Sequence, residues 1–253
     1  MLKHGKKVLV LDFDGVICDS TRECMVTAWQ AWHKYRREIR GVDTDFTAPK
    51  SLQSWFSCVR PFVRGGGEYL VLLDIWAANA VPPNRDEFLS ETQKNKAEQA
   101  RYADFFYECR EKLLGSDPEK WCGLHDEHRD VTRLMREVAG RHPIYIATLK
   151  DKASVLKLLQ HYEVEFSEDL VLDRNDIVTK LEALHKIASS EAVSANSIYF
   201  VDDNPLHLLP LKNEFVNSFL STWGPFDLEA RKIALQNDLN TLNDCRPLYD
   251  IFR

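Results

Sequence analysis

Two kinds of hydrophobic pattern divide the chain. Short unbroken apolar runs, VLVL at 8–11, IYIA at 144–147 and IYFV at 198–201, have the length and the β-branched and aromatic content of strands buried on both faces. Helical spacing appears between and after them, through Val131, Leu134 and Val138, through Val155, Leu158 and Leu159, around Lys180, and after Pro205. Short strands are further predicted at Leu170–Leu172 and near Val216–Leu220. This alternation predicts an α/β core with a doubly wound, Rossmann-like parallel sheet.

The stretch 20–124 reads differently. Met25, Trp29 and Trp32 share one helical face within Ser20–Tyr35, and Glu68–Ala80 is apolar enough for a buried helix. Arg85–Leu114 alternates charged and aromatic faces and is predicted to stop at Gly115. Ser57–Gly67, with Arg60, Arg64 and three successive glycines, is the most loop-like part of the region. The predicted organisation is therefore a core made from residues 1–19 and 125–253, with a mainly α-helical cap inserted at 20–124.

Composition narrows the function classes. With 253 residues and 44% hydrophobic content the chain can bury a substantial core, and 28% charged residues argue against wholesale disorder. A net charge of -6 and a pI near 5.8 give no global electrostatic reason to expect nucleic acid or an anionic membrane as partner. No apolar stretch approaches the roughly 20 residues needed to span a bilayer. The basic start and apolar run of KHGKKVLVLDF imitate a signal peptide, but Asp12 and Asp14 cut the run short, so a cytoplasmic chain is expected. Six scattered cysteines without a CxxC pair argue against a zinc knuckle or a thioredoxin-type motif. A dinucleotide-binding GxGxxG and a Walker A loop are both missing, and no internal repeat is visible.

The chemistry concentrates at the strand ends. In VLVLDFDGVI the first strand runs into Asp12 and Asp14, two positions apart and so expected on one side, with Gly15 free to turn the chain away. Carboxylates crowded at a buried strand end require a cation or a shared proton, whereas a simple Asp-stabilised turn requires neither. Three later segments bear on the choice: IYIAT ending at Thr148, DIVTKLEALHKI containing Lys180, and SIYFVDDN with Asp202 and Asp203. In an open α/β sheet such strand ends form the ligand crevice.

These four segments, in this order, resemble the motifs of the haloacid dehalogenase (HAD) superfamily, in its capped phosphoglycolate-phosphatase-like branch, with a C1-type cap. The match covers the start of the chain and about its second half. The resemblance implies that Asp12 is a nucleophile forming an aspartyl phosphate and that Asp14 is the general acid and then base. It implies that Thr148 and Lys180 bind the phosphoryl group. Asp12, Asp202 and the backbone carbonyl of Asp14 would hold Mg2+, whose preference for oxygen ligands suits this set, with Asp203 either joining them or orienting Lys180. Asp202 ranks ahead of Asp203 as the direct ligand. Lys150 and Lys152 compete with Lys180 for the phosphate but are expected on a solvated helix start, and Lys186 is a weaker competitor. Arg60 and Arg64 are candidate readers of substrate anion in a mobile cap loop, against a plain surface turn.

The expected activity is hydrolysis of a small phosphorylated metabolite. A phosphomutase resembling β-phosphoglucomutase shares all four motifs. A non-catalytic binding protein on the same fold has no chemical need for both Asp12 and Asp14.

Overall fold

The computed structural model describes residues 5–37, 47–224 and 228–253. Its chain divides into two compact units, one formed by Met1–Asp19 and Asp126–Arg253, the other by Ser20–His125.

Among the described residues eight strands are present, all in the first unit: β1 (Val8–Leu11), β2 (Cys18–Asp19), β3 (Asp126–Glu127), β4 (Ile144–Ala147), β5 (Val171–Leu172), β6 (Ile198–Asp202), β7 (Ser218–Ser221) and β8 (Asn240–Leu242). Six form one sheet in the order β5-β4-β1-β6-β7-β8, and every pairing in it is parallel. Strand β1 lies between β4 and β6, with Leu9 opposite Ile144 on one side and Tyr199 on the other. All four of its residues are fully buried, as an unbroken VLVL run requires. Chain order reverses at β1, with β4 and β5 added on one flank and β6, β7 and β8 on the other, so the crevice lies at the carboxyl ends of β1 and β6. The predicted doubly wound α/β fold is the observed one. The two-residue strands β2 and β3 form a separate antiparallel pair, too short to leave a pattern in the sequence.

The second unit is helical: α1 (Thr21–Arg37), α2 (Lys50–Val59), α3 (Glu68–Asn79), α4 (Arg85–Lys94), α5 (Lys96–Ser116) and α6 (Pro118–Cys122). Its interior mixes aliphatic and aromatic residues, with Phe56, Phe88, Tyr102 and Phe106 buried together and the Tyr102 hydroxyl donating to the Ala28 carbonyl at 2.7 Å. A buried ion pair is also present, Arg110 clasping Glu23 at 2.6 and 2.8 Å while Thr27 donates to the same carboxylate at 2.7 Å.

Two sequence expectations fail here. Arg85–Leu114 is two helices broken at Asn95, and Gly115 lies inside the last turn of α5, which ends before Asp117, the N-cap of α6. The start of Ser57–Gly67 is not loop: Ser57–Val59 complete α2 and Arg60–Phe62 form a 3-10 turn. The glycines that follow are packing residues. A Cβ on Gly66 would press into the Phe106 ring, and one on Gly67 would strike the Gln99 carbonyl.

The remaining helices flank the sheet: α7 (Arg129–Val138), α8 (Lys152–His161), α9 (Lys180–Glu191), α10 (Pro205–Leu208), α11 (Leu228–Gln236) and α12 (Arg246–Phe252). Among the described residues, no helix is long and apolar enough to cross a membrane.

Candidate active site

Strand β1 ends at Leu11, and the Asp12 amide still donates to the Val201 carbonyl at 2.8 Å, so Asp12 leaves the sheet beside the end of β6. The chain then folds back, with the Ile17 amide on the Phe13 carbonyl at 2.8 Å and Gly15 at φ 81°. Glycine is needed there for two reasons. The left-handed backbone disfavours other residues, and a Cβ would fall inside the Asp203 carboxylate. From the other side the backbone of Gly15 crowds Gly224, while Ser221 Oγ donates to the Gly15 carbonyl at 3.3 Å and Trp223 Nε1 to that of Val16 at 3.0 Å.

Lys180 organises the centre. Thr179 caps α9 by accepting from the Glu182 amide at 3.1 Å, and Lys180, the first residue of the helix, is buried. Its Nζ lies 2.7 Å from Asp12 Oδ1, 3.3 Å from Asp202 Oδ2 and 2.5 Å from the Ala147 carbonyl, so one ammonium joins the ends of β1, β4 and β6. Burial alone would pull the Lys180 ammonium down, but Asp12 and Asp202 outweigh it and hold its pKa above the ordinary value. Burial also pushes Asp12 up, and the Asp202 charge adds to this against the pull of Lys180. Burial acts on Asp202 in the same direction, yet Lys180 and His207 prevail and hold it at about 2.

His207 is a site neighbour that the sequence reading missed. Its Nδ1 lies 3.1 and 3.0 Å from the two Asp202 oxygens, and the Asn204 amide donates to Asp202 Oδ1 at 2.8 Å. Burial lowers the imidazole pKa, but Asp202 more than compensates and raises it. The available signal was its place five residues after Asp202, inside a proline-started turn of helix.

Thr148 follows β4 directly and is buried, its amide donating to the Leu172 carbonyl at 2.9 Å. Beyond it the expectation for Lys150 is corrected. Rather than standing on a solvated helix start, its side chain is 1% exposed and its Nζ lies 3.3 Å from Asp14 Oδ1. Helix α8 begins only at Lys152, capped by Asp151 accepting from the Ser154 amide at 2.8 Å. The turn before it is fixed by the Lys150 amide donating to Thr148 Oγ1 at 3.1 Å, which sends Lys150 inward and leaves Leu149 exposed. Lys152 pairs with Asp176 at 3.2 Å and Lys186 with Glu182 at 2.8 Å, so neither competes for Asp12.

Carboxylate oxygens of Asp12, Asp202 and Asp203 lie within 4.8 Å of one another, two of these residues being buried. Three hard oxygen donors held this closely fit a divalent cation such as magnesium, which would relieve their mutual repulsion. The Asp14 side chain is not part of this trio; it faces Lys150. Arg60 and Arg64 belong to the helical unit. Arg60 is not on a free loop, since its guanidinium lies over the Tyr69 ring at 5.9 Å, while Arg64 is exposed, its amide donating to Glu68 at 2.6 Å.

No protein-family model matches the sequence and no curated protein does. Solved structures do resemble it over nearly their whole length. A predicted phosphoglycolate phosphatase from Haemophilus somnus is 14% identical, with 98% of each chain covered and a TM-score of 0.60. A haloacid dehalogenase-like hydrolase from Streptococcus pneumoniae is also 14% identical, with 98% of this chain and 99% of that chain covered and a TM-score of 0.57. The β-phosphoglucomutase of Clostridium difficile is 14% identical, with 98% and 97% covered and a TM-score of 0.50. At these identities the likeness establishes the fold, which is that of the haloacid dehalogenase-like hydrolases.

Proposed function

We propose that this chain is a cytoplasmic, magnesium-dependent phosphatase that hydrolyses a small phosphorylated metabolite through an aspartyl phosphate on Asp12. One observation carries the reading: a single buried lysine joins Asp12 to Asp202, with Asp203 beside them, at the point where the parallel sheet reverses its order. A turn that used aspartate only for its own hydrogen bonds would not need a desolvated ammonium and two further carboxylates. None of the six cysteines is in a disulfide, which suits a reducing compartment.

Magnesium, held by Asp12, Asp202 and Asp203 with the Asp14 carbonyl, would supply positive charge against the phosphoryl oxygens. The chain's own groups supply the rest. An Asp12 carboxylate oxygen attacks phosphorus as the bond to the leaving oxygen breaks, and Asp14 gives that oxygen a proton, so an alcohol departs. Thr148 donates its hydroxyl to a phosphoryl oxygen, and Lys180 balances charge on the phosphate and on Asp12. In the second half Asp14 takes a proton from water as the water oxygen attacks phosphorus and the bond to Asp12 breaks, releasing inorganic phosphate. Arg60 and Arg64 are candidate readers of a substrate anion.

The test is phosphate release from a panel of small phosphomonoesters, with and without magnesium. Wild type is expected to turn over at least one ester only with the metal, and Asp12→Asn to lose at least about 10³-fold. Metal-independent release, or release that survives Asp12→Asn, would remove the nucleophile assignment. The likeness to a β-phosphoglucomutase favours one second reading, transfer of the phosphoryl group to another hydroxyl of a sugar phosphate. Isomerised sugar phosphate in place of free phosphate would select it.

A further inference from the structure

Lys150 is an expensive residue where it stands. An ammonium buried to 1% exposure is strongly disfavoured unless a partner compensates it, and its Nζ lies 3.3 Å from Asp14 Oδ1. Asp14 itself is 28% exposed, so the lysine is inside and the carboxylate stands at the rim. The Cys18 thiol lies on the same Oδ1 at 4.0 Å, giving that oxygen a second neighbour from the backbone fold that carries it. The lysine is fixed in turn, because its amide is tied to Thr148 Oγ1 and α8 starts two residues later. The two buried lysines thus divide the aspartates between them, with Lys180 on Asp12 and Asp202, and Lys150 on Asp14.

We infer that Lys150 is a positioning residue for proton transfer: it holds the Asp14 carboxyl apart from the Asp12, Asp202 and Asp203 cluster and stabilises the carboxylate that forms as Asp14 gives its proton to the leaving oxygen. The inference rests on the phosphatase reading. In the step concerned, the Asp12–phosphorus bond forms, the phosphorus–leaving oxygen bond breaks, and the Asp14 proton passes to that oxygen, so an alcohol leaves and Asp14 becomes an anion beside the ammonium. A group acting in this way matters in proportion to how badly the leaving oxygen needs a proton. A 2,4-dinitrophenolate departs without one, whereas a phenolate or an alkoxide does not.

The test measures kcat/KM in magnesium for 2,4-dinitrophenyl, 4-nitrophenyl and phenyl phosphate with wild type, Lys150→Met and Lys150→Arg. Lys150→Met keeps the length and apolar body of the side chain without its charge. Its kcat/KM should fall by roughly 10²-fold on phenyl phosphate and by only a few-fold on the dinitrophenyl ester, steepening the leaving-group dependence. Lys150→Arg, which restores the charge, should recover part of the loss on phenyl phosphate, and it carries the comparison should the methionine variant fail to fold. An equal loss on all three esters would mean that Lys150 only supports the fold, and no loss on any would mean that Asp14 is positioned without it; either overturns the inference. Magnesium-dependent turnover by wild type with unchanged leaving-group dependence in both variants overturns this inference alone. Absence of wild-type turnover on every ester overturns the phosphatase reading and this inference with it.

Discussion

Lys180 and Lys150 show how differently one residue type behaves according to what lies behind it. Removing Lys180 leaves Asp12 and Asp202 facing each other in a site where Asp202 has no exposure. Lys180→Met should therefore lower the stability of the metal-free protein by about 3–5 kcal/mol, as breaking a buried pair from one side does. Added magnesium should return part of that loss, because the cation takes over the neutralisation; thermal melts with and without the metal check both statements. A melt unchanged by the substitution would show that the two carboxylates are not held by this ammonium. At this scale the sequence was legible where chemistry and hydrophobic pattern coincide, as at Asp12, Thr148 and Asp202, each placed by an apolar run that ends on it. Lys150 was not legible. A lysine after a strand looks solvated until the Gly15 turn, more than a hundred positions away in the chain, is known to bring Asp14 against it. His207 was missed for a similar reason, since its bond to Asp202 depends on the short α10 turn, and its place five residues after Asp202 is only a weak signal.

Among the elements, α9 is the one on which the site most depends, since it presents Lys180 at one end while the other end must be held. That second hold is Tyr145, on β4, whose hydroxyl donates to Glu191 in the last turn of α9 at 2.5 Å, with Lys6 on the same carboxylate at 2.5 Å. Tyr145→Phe should cost about 1 kcal/mol near neutral pH. Burial first, and then the Glu191 carboxylate, push the Tyr145 phenol from 10.0 to about 12. A raised value means that the folded state prefers the neutral phenol, so this contribution is complete below pH 10 and is lost as pH rises toward 12. Denaturant melts of wild type and Tyr145→Phe should accordingly converge across that window, and parallel curves would show that the bond contributes nothing. Elements with unbroken apolar runs or a regular helical face were readable in advance. The break at Asn95 was not, because charged and aromatic residues continue through it, and β8 and the β2–β3 pair are too short for any periodicity to declare them.

The chain divides into two units with different kinds of interior, a parallel sheet covered by helices and a helical cluster of aliphatic and aromatic residues. In the helical unit the most consequential polar contact is Glu23 with Arg110, because the carboxylate has no exposure at all. Arg110→Met should strand that charge and cost about 3–5 kcal/mol. Calorimetry of Arg110→Met against wild type should register the loss. An Arg110→Met protein as stable as wild type would mean that Glu23 takes up a proton and is held by Thr27 instead.

The position of β1 in its sheet has a further consequence, which is kinetic. Leu9 pairs with Ile144 and Tyr199, so both neighbours of the central strand lie beyond the entire 20–125 unit in the sequence. Closing loops of that size is costly before any pairing repays it, whereas the helices of the inserted unit join residues close along the chain. During folding the helical unit can form from nearby contacts at a time when VLVL, the most apolar strand and the carrier of Asp12, still has no partners. The segment that leads into Asp12 is thus the one exposed longest to association with other chains.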